Sequence, residues 1–455
     1  MSDSLQLLYE SRPYPAMSHP LTDPAVTAVA AMLGGLDVPV PSRARILEIG
    51  CSSGHNLIPL ALRWPEARFC GVDFSAPAIR MARELAEIAG APNVDFHCAD
   101  VRNFQLEEGA FDFIIAHGVF SWVPDDVKSA LLKFCGRHLS RSGIATISFN
   151  LECGWQDRLP VIRKARAILA AGAADEMSAL AILRTATARD SPEYAVIEDM
   201  LAKGPGILPF DDFAPINDPW PLRSFVELAT AAGLHWLGES DPAKNLPRSL
   251  DDETLDSLLR EAPDAISYQE AIDREIGRTF RSGILCRSDA PLGGGCSLAR
   301  VFDLAGRAGR APAASPVSLE MRIFRQLSAW APLCLPLAEV RRLLPEVEAR
   351  QVAMGLHDGI QRGWILPRIE SVWFDPDPPQ RPALSPFRLE CARRQLPLVD
   401  AWHRPCLFPD RHFEILAAMD GSRDQALLAI LAGDLAPDLA FRAWLRHLAE
   451  RGMFA

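Results

Sequence analysis

Between residues 46 and 149, short apolar runs of strand length alternate with longer stretches whose apolar positions recur every three or four residues. The runs at 46–49, 68–72, 94–100, 111–115 and 143–149 predict strands, and 56–63, 76–89 and 124–139 predict helices. Such alternation predicts a parallel sheet covered by helices. Gly90 marks a helix end, and Pro124 is acceptable in a first turn, where Asp125 and Asp126 sit near the positive end. Ahead of the sheet, Tyr14, Pro15 and Pro20 hold an extended path before an apolar helix at 25–33. That arm reads either as a lid over a pocket or as a cap packed by Tyr9, Tyr14 and Met17.

The first strand ends in Glu48 and runs into a turn punctuated by Gly50 and Gly54. Gly50 permits the tight turn, and Gly54 lets the next helix approach a ligand and the sheet. Neither a dinucleotide fingerprint nor a phosphate loop is present, because both need glycines or a Gly-Lys ending that are missing here. Glu48 would repel polyphosphate yet suits the cationic amino-acid end of S-adenosylmethionine. Asp73 lies 23 residues beyond Gly50 at the end of the second strand, where an acid accepts from ribose hydroxyls. Asp100, at the exit of the third strand, suits an adenine amine while its neighbour Val101 packs on the ring. Ser52, Asn56, Phe74 and His117 complete the expected cofactor-binding set. The loop at 116–124 leaves the fourth strand on the ligand side of the sheet and is aromatic. Phe120 and Trp122 read as walls of a channel for an aliphatic amine, or as packing residues. His117 reads as a proton acceptor or as a structural hydrogen-bonding group. With Tyr14, these three form the candidate catalytic set.

Charge and cysteine usage narrow the classes. The 47 basic and 58 acidic residues give a net charge of -11, which argues against a nucleic-acid partner. The ten cysteines include no Cys-x-x-Cys pair, so no zinc or redox motif is visible, and free thiols suit a cytoplasmic protein. No basic leader opens the chain and no uninterrupted apolar run reaches membrane-spanning length, so neither secretion nor membrane insertion is expected.

Leu47 to Pro59, Phe69 to Ser75 and Ile114 to Pro124, followed by Ile147 to Asn150 and Gly154-Trp155, resemble the class I S-adenosylmethionine-dependent methyltransferases. The resemblance is to the bacterial group that carries a methyltransferase regulatory domain and includes the rickettsial protein-lysine methyltransferases. It implies an α/β class I (Rossmann-like) domain with a seven-stranded sheet, followed by regulatory and winged-helix-like C-terminal domains. S-adenosyl-L-methionine is the implied cofactor, with Glu48, Gly50 and Gly54 at the methionine end, Asp73 at the ribose and Asp100 near adenine. The implied reaction is N-methylation of a protein or peptide substrate at lysine; a small molecule or peptide natural product is the alternative acceptor, and a noncatalytic binding scaffold the other reading. Two departures stand out: Phe120 where the family carries tyrosine, and Phe149 to Trp155 in place of a Tyr-Asn-x-x-Pro-Gly-Trp string.

The expected organisation is a cofactor-binding domain at 1–214 with an N-terminal lid and a helical insertion at 156–210. A regulatory domain at 215–298 follows, its start at 220–237 reading as a helix and a strand that returns to the sheet. The Ala/Arg/Gly/Pro-rich stretch 299–315 reads as a linker. Helical patterns at 316–375 then lead into Trp364 to Ile369 as a winged-helix-like domain, whose mixed charges suit protein recognition or homodimer packing over DNA. A small helical region at 376–455, suited to substrate presentation, ends the chain.

Overall fold

A computed structural model describes residues 14–106, 111–247, 249–293, 297–433 and 438–455. Tyr9 of the N-terminal arm lies outside the described residues. The expected parallel strands are β1 (Arg45–Ile49), β2 (Arg68–Asp73), β3 (Val94–Cys98), β4 (Phe111–Ala116) and β5 (Leu139–Asn150). They are completed by β6 (Leu234–Glu239) and β7 (Phe280–Arg287), giving one seven-stranded sheet of order β3-β2-β1-β4-β5-β7-β6. β7 runs antiparallel to both of its neighbours. The chain reverses its direction of strand addition between β1 and β4, the switch point at which a crevice opens beyond the strand ends.

Both sheet faces are buried, which explains the near-continuous apolar runs. Leu47, Ile114, Ala145 and Leu285 point into one layer, and Ile46, Phe113, Ile144 and Ile284 into the other. The Ala76–Ala89 helix begins on Ser75, whose hydroxyl accepts from the Ala78 amide, and stops at Gly90 in the left-handed region. Strands β6 and β7 come from 215–298, so that segment completes the sheet and is not a separate body. The insertion helices Arg158–Ala170, Glu176–Thr185 and Pro192–Lys203 form their own core around Trp155, Ile162, Leu180 and Met200.

The expected linker is corrected. Within 299–315, Ala305–Ala308 is β8, the middle strand of a small antiparallel sheet with β9 (Leu335–Pro336) and β10 (Ile365–Arg368). Small residues looked like linker composition, but Val301 and Leu304 are buried apolar anchors. A Cβ at Gly306 would sit 2.9 Å from both Leu337 and Ile365, so the small residue here serves close packing. The C-terminal region contributes β11 (Leu398–Val399), β12 (Pro405–Cys406) and four helices, of which Pro386–Arg393 packs on Ala76–Ala89. Its Phe387, Cys391, Leu416 and Leu445 join one core with Ile79 and Leu85.

The β6–β7 edge is closed by a buried charge network. Arg281, fully buried, donates to both Asp273 oxygens at 2.8 and 2.7 Å, to Glu239 Oε1 at 2.9 Å and to Gln269 Oε1 at 3.0 Å. Removing the cation leaves the buried Glu239 without its counter-charge and Asp273 with Arg278 alone. Arg281→Met is therefore expected to cost about 3–5 kcal/mol in urea unfolding; a change under about 1 kcal/mol would show that the network is dispensable.

Candidate functional site

A cavity of about 530 Å³ opens at the switch point, within the range for small-ligand sites. It is lined by the β1 turn, the ends of β2 and β3, the loop after β4 and the N-terminal arm from Tyr14 to His19. The arm thus forms a wall of the cavity.

Gly50 has φ +78°, and a Cβ there would lie 2.5 Å from Val119 Cγ2, so the turn and the β4 loop approach only because this residue is glycine. Gly54 meets one half of its expected role, the close approach of helix and sheet. A Cβ there would lie 2.8 Å from Phe96, so it serves helix–sheet packing, and it is not among the cavity's lining residues. Asp73 accepts from the Ser52 amide at 2.9 Å and the Ser75 amide at 2.8 Å, one bond to each oxygen. Burial raises its pKa despite those bonds, and its remaining lone pairs are available to ribose hydroxyls. Asp100 lines the far end but is held by Arg102, whose Nη2 lies 2.7 Å away and whose Nη1 bonds Asp126. That pairing keeps the Asp100 carboxyl below its usual range, so an adenine amine would share an acceptor with a guanidinium. Phe74, Val101, Met81 and Val127 supply apolar wall near it.

Glu48 is buried and bonded on one side only. Its Oε1 accepts from Asn56 Nδ2 at 2.7 Å, whereas Oε2 is buried and has no partner among the described residues. Burial, partly opposed by the Asn56 bond, pushes its pKa up to about 8. Asn56 stands just before the helix Ile58–Arg63, which begins two residues later than the sequence pattern indicates.

A second cavity, of about 420 Å³, adjoins the first and shares Tyr14, His117, Gly118 and Trp122 with it. His117 is stacked on His19 with centroids 4.0 Å apart, and desolvation drives its pKa well below the ordinary histidine value. Burial, then Asp211, pushes the Tyr14 hydroxyl up to about 12. His117 Nδ1 and Trp122 Nε1 are buried without partners. Three of the four candidate catalytic residues therefore meet at one junction.

Phe120 does not join them. It is fully buried and packs edge-on against Phe149, Trp220 and Phe225, lining neither cavity. The short 3-10 turn at Phe120–Trp122 turns its ring into the core while leaving Trp122 at the cavity.

The sequence pattern did not single out the rest of the second wall: Trp155, Arg158, Asp199, Lys203, Phe210, Asp211 and Phe280. Most of these come from the insertion, whose helical periodicity marks only its own core. His19, His55 and Leu396 at the first cavity were also missed. A histidine next to the recognised glycine turn was a usable signal for His55; nothing local marks Leu396.

Residues 46–143 match the methyltransferase domain family, and 205–287 match the family described as a predicted methyltransferase regulatory domain. The whole chain superimposes on the structure of PKMT2 from Rickettsia typhi in complex with AdoHcy, with TM-score 0.83, 97% of this chain and 100% of that chain covered, and 18% identity. This is a class I methyltransferase fold. At that identity the likeness establishes architecture alone. An uncharacterised protein of Rickettsia prowazekii is 28% identical over 62% of this chain, which spans only 53% of that relative's length. A trans-aconitate 2-methyltransferase of Azoarcus is 36% identical over 24% of this chain and 40% of its own.

The first cavity fits S-adenosylmethionine. Among the described residues no lysine or arginine lines it and none donates to Glu48 Oε2, where an α-ammonium would supply a bond, and Asp73 has acceptor capacity to spare. With an acid raised from 4.5 to about 8, the folded protein binds more protons than the unfolded chain in that interval, so the ligand-free protein loses stability as pH rises through it. A nearby ammonium reverses the shift. Binding of S-adenosylhomocysteine at pH 7 is therefore expected to release close to one proton, read as a buffer-dependent binding enthalpy that Glu48→Gln abolishes; an enthalpy independent of buffer would contradict this account of Glu48.

Proposed function

We propose that the protein is an S-adenosylmethionine-dependent N-methyltransferase acting on lysine side chains of a protein or peptide. The observation that carries this reading is the second cavity and its junction with the first. Tyr14, Trp155, Phe210 and Phe280 give it aromatic surface, and Asp199 and Asp211 give it carboxylates. Such surroundings favour a cationic or partly desolvated amine. Lys203 bridges Asp211 and Asp212, and Arg158 bridges Asp199 and Asp212, leaving three acids against two bases. Asp211 is raised by burial, against the pull of Lys203, so an incoming ammonium meets a carboxyl short of positive charge.

When bound, S-adenosylmethionine supplies a methyl group on a sulfonium. The protein's contribution is alignment. Tyr14 stays protonated and His117 stays neutral at physiological pH, so the junction adds no fixed positive charge where sulfonium and amine meet. With its proton on Nε2, His117 presents Nδ1 to an amine N–H. Desolvation at the junction would favour the neutral amine over the ammonium, its proton passing to solvent as the side chain enters, and these residues would hold that amine for transfer.

Phe120, with its ring in the core, is removed from the acceptor site, which takes away one motive for a noncatalytic scaffold. A carboxylate-bearing small molecule is the second reading, because Arg158 Nη2 is buried without an acceptor. Incubation with tritiated S-adenosylmethionine and cell extract separates the two. Label is expected in ε-N-methyllysine after acid hydrolysis of the protein fraction; label confined to metabolites or to base-labile esters would overturn the lysine reading. Asp211→Asn is expected to raise the acceptor KM about tenfold, roughly 1.4 kcal/mol, with the cofactor KM unchanged.

A further inference from the structure

The β1 turn is touched by a residue 347 positions away: His403 Nε2 lies 2.8 Å from Asn56 Oδ1. His403 is fully buried in a turn of the C-terminal region and has φ +62°, a conformation unusual outside glycine. Asp400 builds that turn. Its Oδ1 accepts from the Trp402 and Arg404 amides, each at 2.9 Å, and its Oδ2 from Arg404 Nε at 2.8 Å and Arg451 Nε at 3.2 Å. Leu396 of the same region lines the first cavity, and Cys391 Sγ lies 3.6 Å from His55 Nε2.

The hydrogen-bond roles are forced. Asn56 Oδ1 is an acceptor, so His403 donates from Nε2 and its Nδ1 is left without a partner. The same oxygen accepts from the His19 amide at 2.8 Å. A flipped Asn56 amide would turn its NH2 against the His19 backbone N–H, and this fixed donor settles Oδ1 as the acceptor that His403 meets. The unflipped amide donates to Thr22 Oγ1 at 3.0 Å and to Glu48 Oε1 at 2.7 Å, which leaves Glu48 Oε2 as the oxygen without a protein donor.

Building on the methyltransferase reading above, we infer that His403 is a positioning residue for the ligand's α-amino group: it locks Asn56 so that Glu48 presents Oε2 to that ammonium. The C-terminal region is thereby a working part of the cofactor site. Burial lowers the His403 pKa to about 3, so it stays a neutral donor through the physiological range.

The test uses the full chain and two ligands that differ in the amino-acid end. S-adenosylhomocysteine carries the α-amino group, and 5′-methylthioadenosine lacks the amino-acid portion. Isothermal titration of His403→Ala is expected to show about tenfold weaker binding of the first, the scale of one lost charge-assisted hydrogen bond, and an unchanged affinity for the second. His403→Gln, which keeps a donor and the same backbone demand, is expected to restore most of the loss. Equal weakening of both ligands, or no weakening of either, overturns the positioning role. A wild-type protein that binds neither ligand overturns the methyltransferase reading and this role together.

Discussion

The arrangement depends on a buried carboxylate that no single part of the chain can satisfy. Asp23 is fully buried, and its Oδ2 receives Arg63 from the helix after the glycine turn at 2.7 Å and Arg368 from β10 at 2.8 Å. Arg63 also donates to the Ala401 carbonyl of the C-terminal region at 2.8 Å, while Asp23 Oδ1 caps the Pro24–Leu33 helix through the Ala25 amide. An unpaired charge at such depth costs several kcal/mol, so the arm, the sheet and both C-terminal parts must dock together for the carboxylate to be paired. The two guanidinium groups hold the Asp23 carboxyl well below its usual range despite burial. One consequence is that the glycine turn carrying Glu48 and Asn56 is braced from outside the sheet.

The cofactor half of the site was legible because its signals are local. A carboxylate at a strand end followed by a glycine turn constrains both backbone and charge, and Glu48, Gly50, Ser52, Asp73, Phe74, Asp100 and Val101 all line one cavity. Phe120 was left open between channel wall and packing residue because an aromatic residue in a loop looks the same whether it faces a ligand or the core; the packing of Phe149, Trp220 and Phe225 decides for the core, and none of these is its sequence neighbour. β8 was hidden by composition, since Ala and Gly in a strand mimic a linker when close packing requires small side chains. β7 enters antiparallel to both neighbours from a distant segment, and a hydrophobic run does not state its direction. The wall of the second cavity and His403 rest on contacts between separate parts of the chain, for which sequence spacing carries no signal.

Electrostatically the two cavities are complementary. The first has two buried acids, Glu48 and Asp73, both raised by desolvation, and no lysine or arginine among the described residues that line it. The second has acids already bridged by Lys203 and Arg158, with a surplus of one carboxylate. At their junction the titratable groups are neutral. This order of environments suits a cationic ligand in the first cavity and is what the proposed amine acceptor would meet in the second.

The account stands on the first cavity being the S-adenosylmethionine site, and titration of the wild type and Asp73→Ala with S-adenosylhomocysteine tests that most directly. The expected result is saturable one-to-one binding by the wild type that falls by about tenfold or more in a variant of retained unfolding midpoint, the scale of losing charge-assisted bonds to two hydroxyls. Absence of binding to the wild type, or an affinity unchanged by Asp73→Ala, would contradict it.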